Sequence, residues 1–495
     1  MNFSRKQMKW VKILLILAGS LIIGCGGGGI DDLASSGGGI GGSGVNGGGT
    51  GGTGISSGSV TAIGSVHVNG VRYDTSDAEI FVEGQSKGFG DEEVLNNLKV
   101  GMVVRVEGEL EDSENGIAEK VYFNDDLRGP VKVGSFQQID PETAQIVVLG
   151  KTVIINELTN VLNLDIEVSL EGKWIQVSGF EDAEGRIQAT FVTGSDIDDH
   201  ANLKGTITFA GPDHITINGI TVVDTTGATL VGLNQLAQDQ LVEVTGTLSV
   251  IPSIDIQADT IERVDLLGTT DIDSIELEGI ITEKTSEEEF RLNGVPVVLN
   301  DQTLYTGGDA DDIDEDVQVE AEGQLINGTL HAERIAFLSF AKVEADFSLI
   351  DRDLSLITLH GLSDITIRYD QNTMVTGEVT TIDDIDETMH FKAIGIELPS
   401  SDSASMLAIH IIALDALNNK VILQGALKTA PPADQSVITL LDHDIDISGI
   451  PNDGFESPDG TGYSNFYNFT EAGDIVSAKG TRSGEAITWQ GISVE

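Results

Sequence analysis

A short segment that ends in glycine recurs six times along the chain, and this repeat constrains the fold more than any other feature. The copies end at Gly108, Gly179, Gly246, Gly323, Gly395 and Gly480. Segments such as "VEAEG" (319–323) alternate apolar and polar residues, as half-buried strands do. The regular spacing predicts a series of similar small domains rather than one large core.

Three further elements repeat around each of these strands. An A-x-x-[VI] segment follows five of the six glycines, as in "AEKV" at 118 and "AERI" at 332, and the sixth copy has Trp489 in the alanine position. A glycine-led segment opens three units: "GSVT" at 58, "GTIT" at 205 and "GIIT" at 279. Asn-Gly pairs at 69, 218 and 293 predict type I′ hairpins, because both residues tolerate positive φ.

These elements predict an all-β protein built from six tandem, small, five-stranded OB-like barrels. About five short strands per repeat suit a small closed barrel, and closure protects the edges of a sheet. The expected segments are a signal peptide (1–24), a glycine-rich tether (25–58) and β repeats at 59–127, 128–196, 201–267, 274–340, 341–416 and 419–495.

The N-terminus has the pattern of a lipoprotein signal peptide. Arg5, Lys6, Lys9 and Lys12 precede the apolar run "VKILLILAGSLIIG", which is short for a spanning helix. The run ends at Cys25, the one cysteine in the chain, in a sequence that resembles a bacterial lipobox. We therefore expect lipid attachment at Cys25 and an outer-membrane lipoprotein that faces the periplasm or the cell surface. An ordinary secretory signal with a chance cysteine is the alternative.

The segment from Gly26 to Gly58 is rich in glycine and serine, which predicts a flexible tether. Residues 54–58 match the hydrolase pattern G-x-S-x-G. That motif needs a strand before the serine and a helix after it. A glycine-rich tether would supply neither, so we interpret the match as chance.

The charge of the chain excludes one class of partner. Asp and Glu number 80 against 27 Lys and Arg, for a net charge of −53. Nucleic-acid binding depends on basic residues that neutralise phosphates, so no nucleic-acid partner is expected. The eight histidines show no metal-ligand spacing, and no nucleophile or nucleotide loop emerges. We therefore expect no enzyme and no cofactor.

The acidic stretch "DADDIDEDVQVEAEG" (309–323) raises the question of a calcium site at Asp311, Asp312, Asp314 and Asp316. No start position satisfies the ligand positions and the central glycine of an EF-hand loop. Residues 383–388 repeat the stretch in the next unit, and 96–101 fill the same place in the first unit without the acids. We favour an exposed acidic turn before a strand and keep calcium as the alternative.

An insertion at 449–473 concentrates aromatic residues in a chain that has few of them: Tyr463, Phe466, Tyr467 and Phe469. Such a cluster suits a stacking surface for a glycan or a protein partner. The alternative is that the rings cover the end of the last barrel, as terminal repeats do. We favour this second interpretation.

Together, the glycine-led opening strand, the Asn-Gly hairpin, strands such as "LKVGMVVRVEG" and the A-x-x-V strand resemble the bacterial domain of unknown function 5666. The resemblance extends from about Ser59 to Glu495 and is clearest in units one, three and four. It implies an OB-like β fold, frequent occurrence in secreted lipoproteins and no assigned catalytic residue.

We therefore expect an acidic envelope lipoprotein, anchored in the membrane, that acts as a non-enzymatic binding or spacer module. Its partner, an envelope protein or a glycan, is not identified by the sequence. The alternatives are a ligand- or glycan-binding protein that uses an OB-like face or the 449–473 insertion, and a calcium-responsive surface protein. Whether the repeats pack together or hang as beads stays open, and nothing in the sequence indicates oligomerisation.

Overall fold

A computed structural model describes residues 53–494, apart from positions 62, 64, 112–114, 140–142, 165, 167–168, 196–199, 250–254, 265–266, 268–271, 307, 339, 371–372, 380, 387, 399–402, 415, 458–459 and 471. The expected signal peptide, Cys25 and most of the expected tether lie outside the described residues. Within them, strands dominate, and the two α-helices are α1 (Asp91–Asn97) and α2 (Tyr463–Phe469). Neither helix has the length and apolar character that a membrane span requires.

The strands of the first three units follow the repeat. Unit one contains β1 (Thr53–Ser59), β2 (Val66–Val68), β3 (Val71–Asp74), β4 (Glu79–Val82), β5 (Gln85–Phe89), β6 (Val103–Leu110) and β7 (Asn115–Phe123). Unit two contains β8 (Leu127–Pro130), β9 (Gln137–Gln138), β10 (Ala144–Val148), β11 (Lys151–Ile155), β12 (Asn160–Leu162), β13 (Trp174–Glu181) and β14 (Ile187–Gly194). Unit three contains β15 (Ala201–Ala210), β16 (His214–Ile217), β17 (Thr221–Asp224), β18 (Thr229–Val231), β19 (Leu241–Leu248) and β20 (Ile256–Arg263).

The last three units repeat this order and add short 3₁₀ helices at Ala310–Asp312, Ile382–Asp384 and Asn452–Gly454. Unit four contains β21 (Ile272–Lys284), β22 (Glu289–Leu292), β23 (Val295–Val298), β24 (Leu304–Thr306), β25 (Gln318–Ile326) and β26 (Thr329–Phe337). Unit five contains β27 (Phe340–Asp351), β28 (Leu356–Leu359), β29 (Leu362–Arg368), β30 (Met374–Gly377), β31 (His390–Glu397) and β32 (Met406–Leu414). Unit six contains β33 (Lys420–Ala426), β34 (Val437–Leu440), β35 (His443–Asp446), β36 (Phe455–Ser457), β37 (Gly460–Thr461), β38 (Ile475–Ser483) and β39 (Ala486–Val494).

The pairing confirms the all-β, OB-like prediction. In units three, four and five the opening strand pairs with the first hairpin strand, the second hairpin strand runs parallel to the last strand, and the glycine-ended strand closes the ring. A single bridge, Val131 to Val148, joins the corresponding strands in unit two. In unit six the hairpin β34–β35 forms a small sheet of its own. Ring closure by strand pairs is thus complete in three units, and the count of six barrels stays a prediction.

The recurrent glycine lies at a β-bulge, where the register between the glycine-ended strand and the last strand shifts. At Gly323, a Cβ atom would lie 2.1 Å from the carbonyl oxygen of His331, and at Gly395 it would lie 1.8 Å from that of Leu407. Side chains do not tolerate such distances, so this position requires glycine. The bulge bends the strand so that a short sheet can close.

The opening glycine and the Asn-Gly turn form one structural device. In unit four, Asn293 and Gly294 have φ values of 50° and 81°, as a type I′ turn requires. Asn293 Nδ2 donates to the carbonyl oxygen of Glu278 at 2.6 Å, and a Cβ atom on Gly279 would lie 2.5 Å from Asn293 Oδ1. The same close approach joins Gly58 to Asn69 and Gly205 to Asn218.

The opening strands also pair between units, so the units pack together rather than hang as beads. Strand β1 runs parallel to β21, β8 antiparallel to β15, and β27 antiparallel to β33. These pairings join units one and four, two and three, and five and six into continuous sheets. We call them the 1–4, 2–3 and 5–6 joints.

The predicted end of the tether at residue 58 is wrong, because Thr53–Ser59 forms β1. Backbone hydrogen bonding to β6 on one side and β21 on the other stabilises this glycine- and serine-rich segment, whose composition predicted coil. Ile55 packs in the core of unit four. The G-x-S-x-G match lies inside this strand, and the described residues that follow it are not helical.

Candidate functional site: buried charges at the joints

Buried charged side chains concentrate where the opening strands of two units pair. Residues alternate across a strand, so the face that points away from one barrel core carries the polar side chains. In an isolated barrel that face would meet solvent. Here the paired unit covers it, and the three joints bury carboxylates that the alternation alone predicts to be exposed.

The 1–4 joint holds an excess of acid. Glu276 and Glu278 on β21 lie directly opposite Glu322 and Glu320 on β25. Glu276, Glu278 and Glu320 are each less than 10% exposed, and Arg334 is 4% exposed. Arg334 is hydrogen-bonded to Glu320 at 3.0 Å and to Glu322 at 2.8 Å. One guanidinium group therefore serves two of the four carboxylates.

The other two glutamates of this joint have different surroundings. Glu278 accepts hydrogen bonds from the Ser59 amide at 2.7 Å and from Gln318 at 2.9 Å. Glu276 Oε2 is buried without a hydrogen-bond partner. Burial and the neighbouring Glu320 raise the pKa of Glu276 well above its usual value, and burial raises the pKa of Glu320 to about 7. The joint therefore favours protonated carboxyl groups.

The 2–3 joint brings together three carboxylates from separate segments: Glu83, Asp125 and Glu243. One oxygen of each lies within 4.8 Å of the others, and among the described residues this is the one group with metal-ligand proximity. Oxygen ligands of this kind suit a hard cation such as calcium. Arg128 already supplies a positive charge, with Nε 2.7 Å from Asp125, and Asn202 donates to Asp125 at 2.5 Å and to Glu243 at 2.8 Å.

The 5–6 joint balances its charges. Asp346 accepts from His390 at 2.8 Å and from Arg482 at 2.5 Å, and Glu344 accepts from His390 at 3.1 Å and from Lys420. Burial by itself would raise the pKa of each carboxyl group. Hydrogen bonds from His390 and Lys420 outweigh burial and lower the pKa of Glu344, and those from Arg482 and His390 do the same for Asp346. This joint therefore favours ionised carboxylates.

The four aspartates proposed as calcium ligands lie in an acidic turn before β25. Asp312, Asp314 and Asp316 are exposed, and the side chain of Asp311 lies outside the described residues. Asp312 accepts from the Asp309 amide and Asp316 from the Ala183 amide, each at 2.8 Å. The calcium hypothesis for this stretch stays untested.

An apolar residue within this turn packs into the barrel. Ile313 is buried, and so are Leu98 and Ile385, which occupy the same place in units one and five. These anchors fix the turn to the barrel while the acidic residues between them point to solvent.

Two of the four aromatic residues in the insertion, Tyr463 and Phe466, pack into the core of unit six instead of forming an exposed surface. Tyr463 and Phe466 belong to helix α2, are buried in the core of unit six and contact Phe455. Tyr467 packs against the same core, whereas Phe469 is 39% exposed. The burial of Tyr463 and Phe466 favours the interpretation that the rings cover the end of the last barrel, and the ligand-binding hypothesis stays untested.

A shallow cleft of about 430 Å³ opens in unit five between β27 and the loop before β31. Leu349, Arg352 and Asp386 lie on its wall. Arg352 is bound to Asp383 at 3.0 Å, and Asp386 accepts from the Thr388 amide at 2.8 Å. Each of these two charged groups thus already has a partner within the protein.

Sequence reasoning missed the buried glutamates because alternation shows which face of a strand is polar but not what covers that face. In "IELEG" (275–279) and "VEAEG" (319–323) the charges have the spacing of a solvent-facing row. The one local hint is Arg334, a basic residue on the adjacent strand. A single sequence does not show that unit one lies over this row.

The fold thus defines a tandem OB-like β-barrel protein whose barrels share sheets. Residues 57–121, 133–193 and 278–336, in units one, two and four, match the model of a domain of unknown function (DUF5666). The chain is thus a tandem-repeat protein in which three segments are similar to this family. The matches include unit two and not unit three, although the motifs resembled the family more clearly in unit three. No curated protein matches the chain.

Proposed function

We propose that this protein is a non-enzymatic structural module of the bacterial envelope, held to the outer membrane through a lipid on Cys25, which spaces or scaffolds other components. The observation that supports this role is the pairing of opening strands at three joints. A chain of independent binding domains needs no such pairing. A spacer needs it, because shared sheets restrict the motion of one unit against another.

The net negative charge of the chain and the covered edges of its sheets both support a spacer role. A net charge of −53 keeps an extended surface soluble and repels anionic polymers and lipids. Pairing between units covers strand edges that would otherwise invite aggregation. The partner that such a scaffold would hold is left open.

Distance measurements between spin labels test the scaffold. The labels are placed at the exposed positions Lys87 in unit one and Glu289 in unit four, each changed to cysteine in a Cys25→Ser background. A narrow distance distribution is expected, similar in width to that of a control pair within unit one, Lys87 and Glu119. A distribution several times broader than the control would contradict the scaffold.

The lipid anchor is tested in cells with a clickable fatty acid. We expect incorporation into the wild-type chain and none into Cys25→Ser, together with loss of the variant from the outer-membrane fraction. Equal labelling of the two chains, or fractionation unchanged by the substitution, would contradict the anchor.

A calcium-responsive role is the second candidate, and the carboxylate group of the 2–3 joint favours it. Calorimetric titration with calcium should show binding that Asp125→Asn abolishes and that the exposed control Asp301→Asn leaves intact. Absence of binding to the wild-type protein at millimolar calcium would remove this candidate.

A further inference from the structure

The 1–4 joint contains a carboxyl group that no neighbouring residue neutralises. Glu276 is 6% exposed, and its Oε2 atom has no hydrogen-bond partner. Ionised carboxylates are costly to bury unless they are paired with a charge and hydrogen-bonded. Glu276 therefore needs either a positive charge or a proton.

The nearest positive charge, Arg334, lowers the pKa of Glu276 but does not outweigh burial and the neighbouring Glu320 and Glu322. Glu278 is on the same strand, and Glu320 and Glu322 are on β25. Arg334 on β26 is the one cationic side chain of this joint among the described residues, and Glu320 and Glu322 already bind it.

Unit one contributes only neutral groups to this face. Ser56 on β1 lies next to Glu276 in the parallel register. Burial raises the pKa of Tyr73 on β3, and the nearby Glu276 and Glu320 raise it further. Arg105 on β6 pairs with Ser57, whose side chain points to the opposite face of the sheet, so it does not face Glu276.

We propose that Glu276 is a proton-binding site, and that its proton holds units one and four together at the β1–β21 joint. With the proton bound, Glu276 adds no negative charge to the joint, in which Arg334 binds Glu320 and Glu322 and hydrogen bonds from Ser59 and Gln318 stabilise Glu278. Without it, the joint contains a buried negative charge next to Glu320 and Glu322. Separation of β1 from β21 would return that charge to water.

The expected direction with pH follows from this arrangement. The pKa of Glu276 and that of Glu320 are raised in the folded joint, so the closed state binds more protons than the open state. The stabilising contribution is complete below the ordinary glutamate pKa of about 4.3 and is lost as the pH rises through the folded value, which is about 7 for Glu320. The joint therefore loosens toward alkaline pH.

Hydrogen exchange of the full chain at pH 6 and pH 8.5, corrected for the intrinsic exchange rate, tests this proposal. In the wild-type protein we expect the protection of the β1 amides to fall by about tenfold or more, because each unit of pKa shift corresponds to a factor of ten. The Glu276→Gln variant copies the neutral acid and should keep its protection at both pH values. The exposed control Glu289→Gln should behave like the wild type.

Two outcomes would overturn the proposal: wild-type protection that does not change with pH, or a change that Glu276→Gln reproduces in full. A second measurement uses only the wild-type protein, so it tests the proposal even if Glu276→Gln folds poorly. The infrared spectrum of the wild-type protein at pH 6 should contain a buried carboxylic-acid band that disappears by pH 8.5. A band absent at pH 6 would show that Glu276 is ionised and would refute the assignment.

Discussion

Units four and five pair their opening strands with their own glycine-ended strands in the same register, yet their joints to other units differ. The 1–4 joint is parallel and rich in acid, whereas the 5–6 joint is antiparallel and balances its charges. When the bulge glycines Gly323 and Gly395 are aligned, Glu276 corresponds to Lys342 and Glu320 to Lys392. The acid-rich joint therefore carries glutamate at two positions where the balanced joint carries lysine. The strand pairing tolerates either sign, so the barrel geometry does not dictate the charge.

This difference has a consequence beyond the joints themselves. Lys342 and Lys392 both bind Glu157 of unit two, at 2.6 Å and 2.5 Å. The balanced joint thus uses its positive charges to hold a neighbouring unit. The glutamates of the 1–4 joint instead face neutral groups of unit one. We infer that the balanced joint holds at neutral and alkaline pH, where the acid-rich joint loosens.

The largest loss of stability is expected from a substitution that breaks the balanced joint. Asp346→Asn removes the carboxylate that binds His390 and Arg482. The buried His390 then keeps Glu344 alone, and the half-buried Arg482 loses its carboxylate partner. Loss of one partner of a buried ion pair costs about 3–5 kcal/mol. Chemical unfolding should show this loss for Asp346→Asn, while the exposed control Asp353→Asn stays within about 0.5 kcal/mol of the wild type. A loss below 1 kcal/mol would mean that the network contributes little.

A smaller effect is expected from a substitution in the β-bulge that units four and five share. Gly323→Ala places a Cβ atom 2.1 Å from the His331 carbonyl oxygen and should destabilise unit four by about 1–3 kcal/mol. Gly449→Ala is the matched control, since no atom lies within 4 Å of its Cβ position. Equal melting temperatures for the two variants would contradict the assignment of the bulge glycine as a steric requirement.

Removal of the link from the balanced joint to unit two should have a comparable or smaller effect. Glu157→Gln weakens two charge-assisted hydrogen bonds, which are each worth about 1.5–3 kcal/mol, and its amide oxygen replaces part of that loss. We expect faster hydrogen exchange in β12 and β31. The partly exposed control Glu171→Gln should leave both strands unchanged. Unchanged exchange in Glu157→Gln would show that the contact is dispensable.

The smallest expected effect is the response of the two joints to acid. The pKa values of Glu344 and Asp346 are lowered, so their contribution to stability is present above the ordinary carboxyl values of about 4 and is lost as the pH falls through the folded values. Between pH 5 and pH 3, strands β27 and β33 should lose protection from exchange. Strands β1 and β21 should keep theirs, and a loss of equal size in both joints would remove the contrast.

Much of the fold could be predicted because the repeat carries its own steric reasons. A glycine equivalent to Gly323 recurs in every unit at the β-bulge. An asparagine equivalent to Asn293 recurs where an opening glycine leaves room for its side chain. The alternation of apolar residues located the strands, and the buried anchors Leu98 and Ile313 located the turn before each glycine-ended strand. These features are local, so each copy of the sequence shows them.

The joints could not be predicted in the same way. Strand β1 pairs with β21 across more than two hundred residues, and its composition of glycine and serine predicts coil. Tyr463 and Phe466 are of the residue types that a binding surface uses. Only the orientation of helix α2 places them in the core.

The sequence by itself determined the barrel unit, its glycine bulge and its hairpin turn, since these depend on steric limits within a few residues of each motif. The tertiary structure alone decided which polar face meets solvent and which meets another barrel. That choice depends on the partner of each opening strand, and it makes Glu276 a buried acid although its sequence pattern is that of a surface residue.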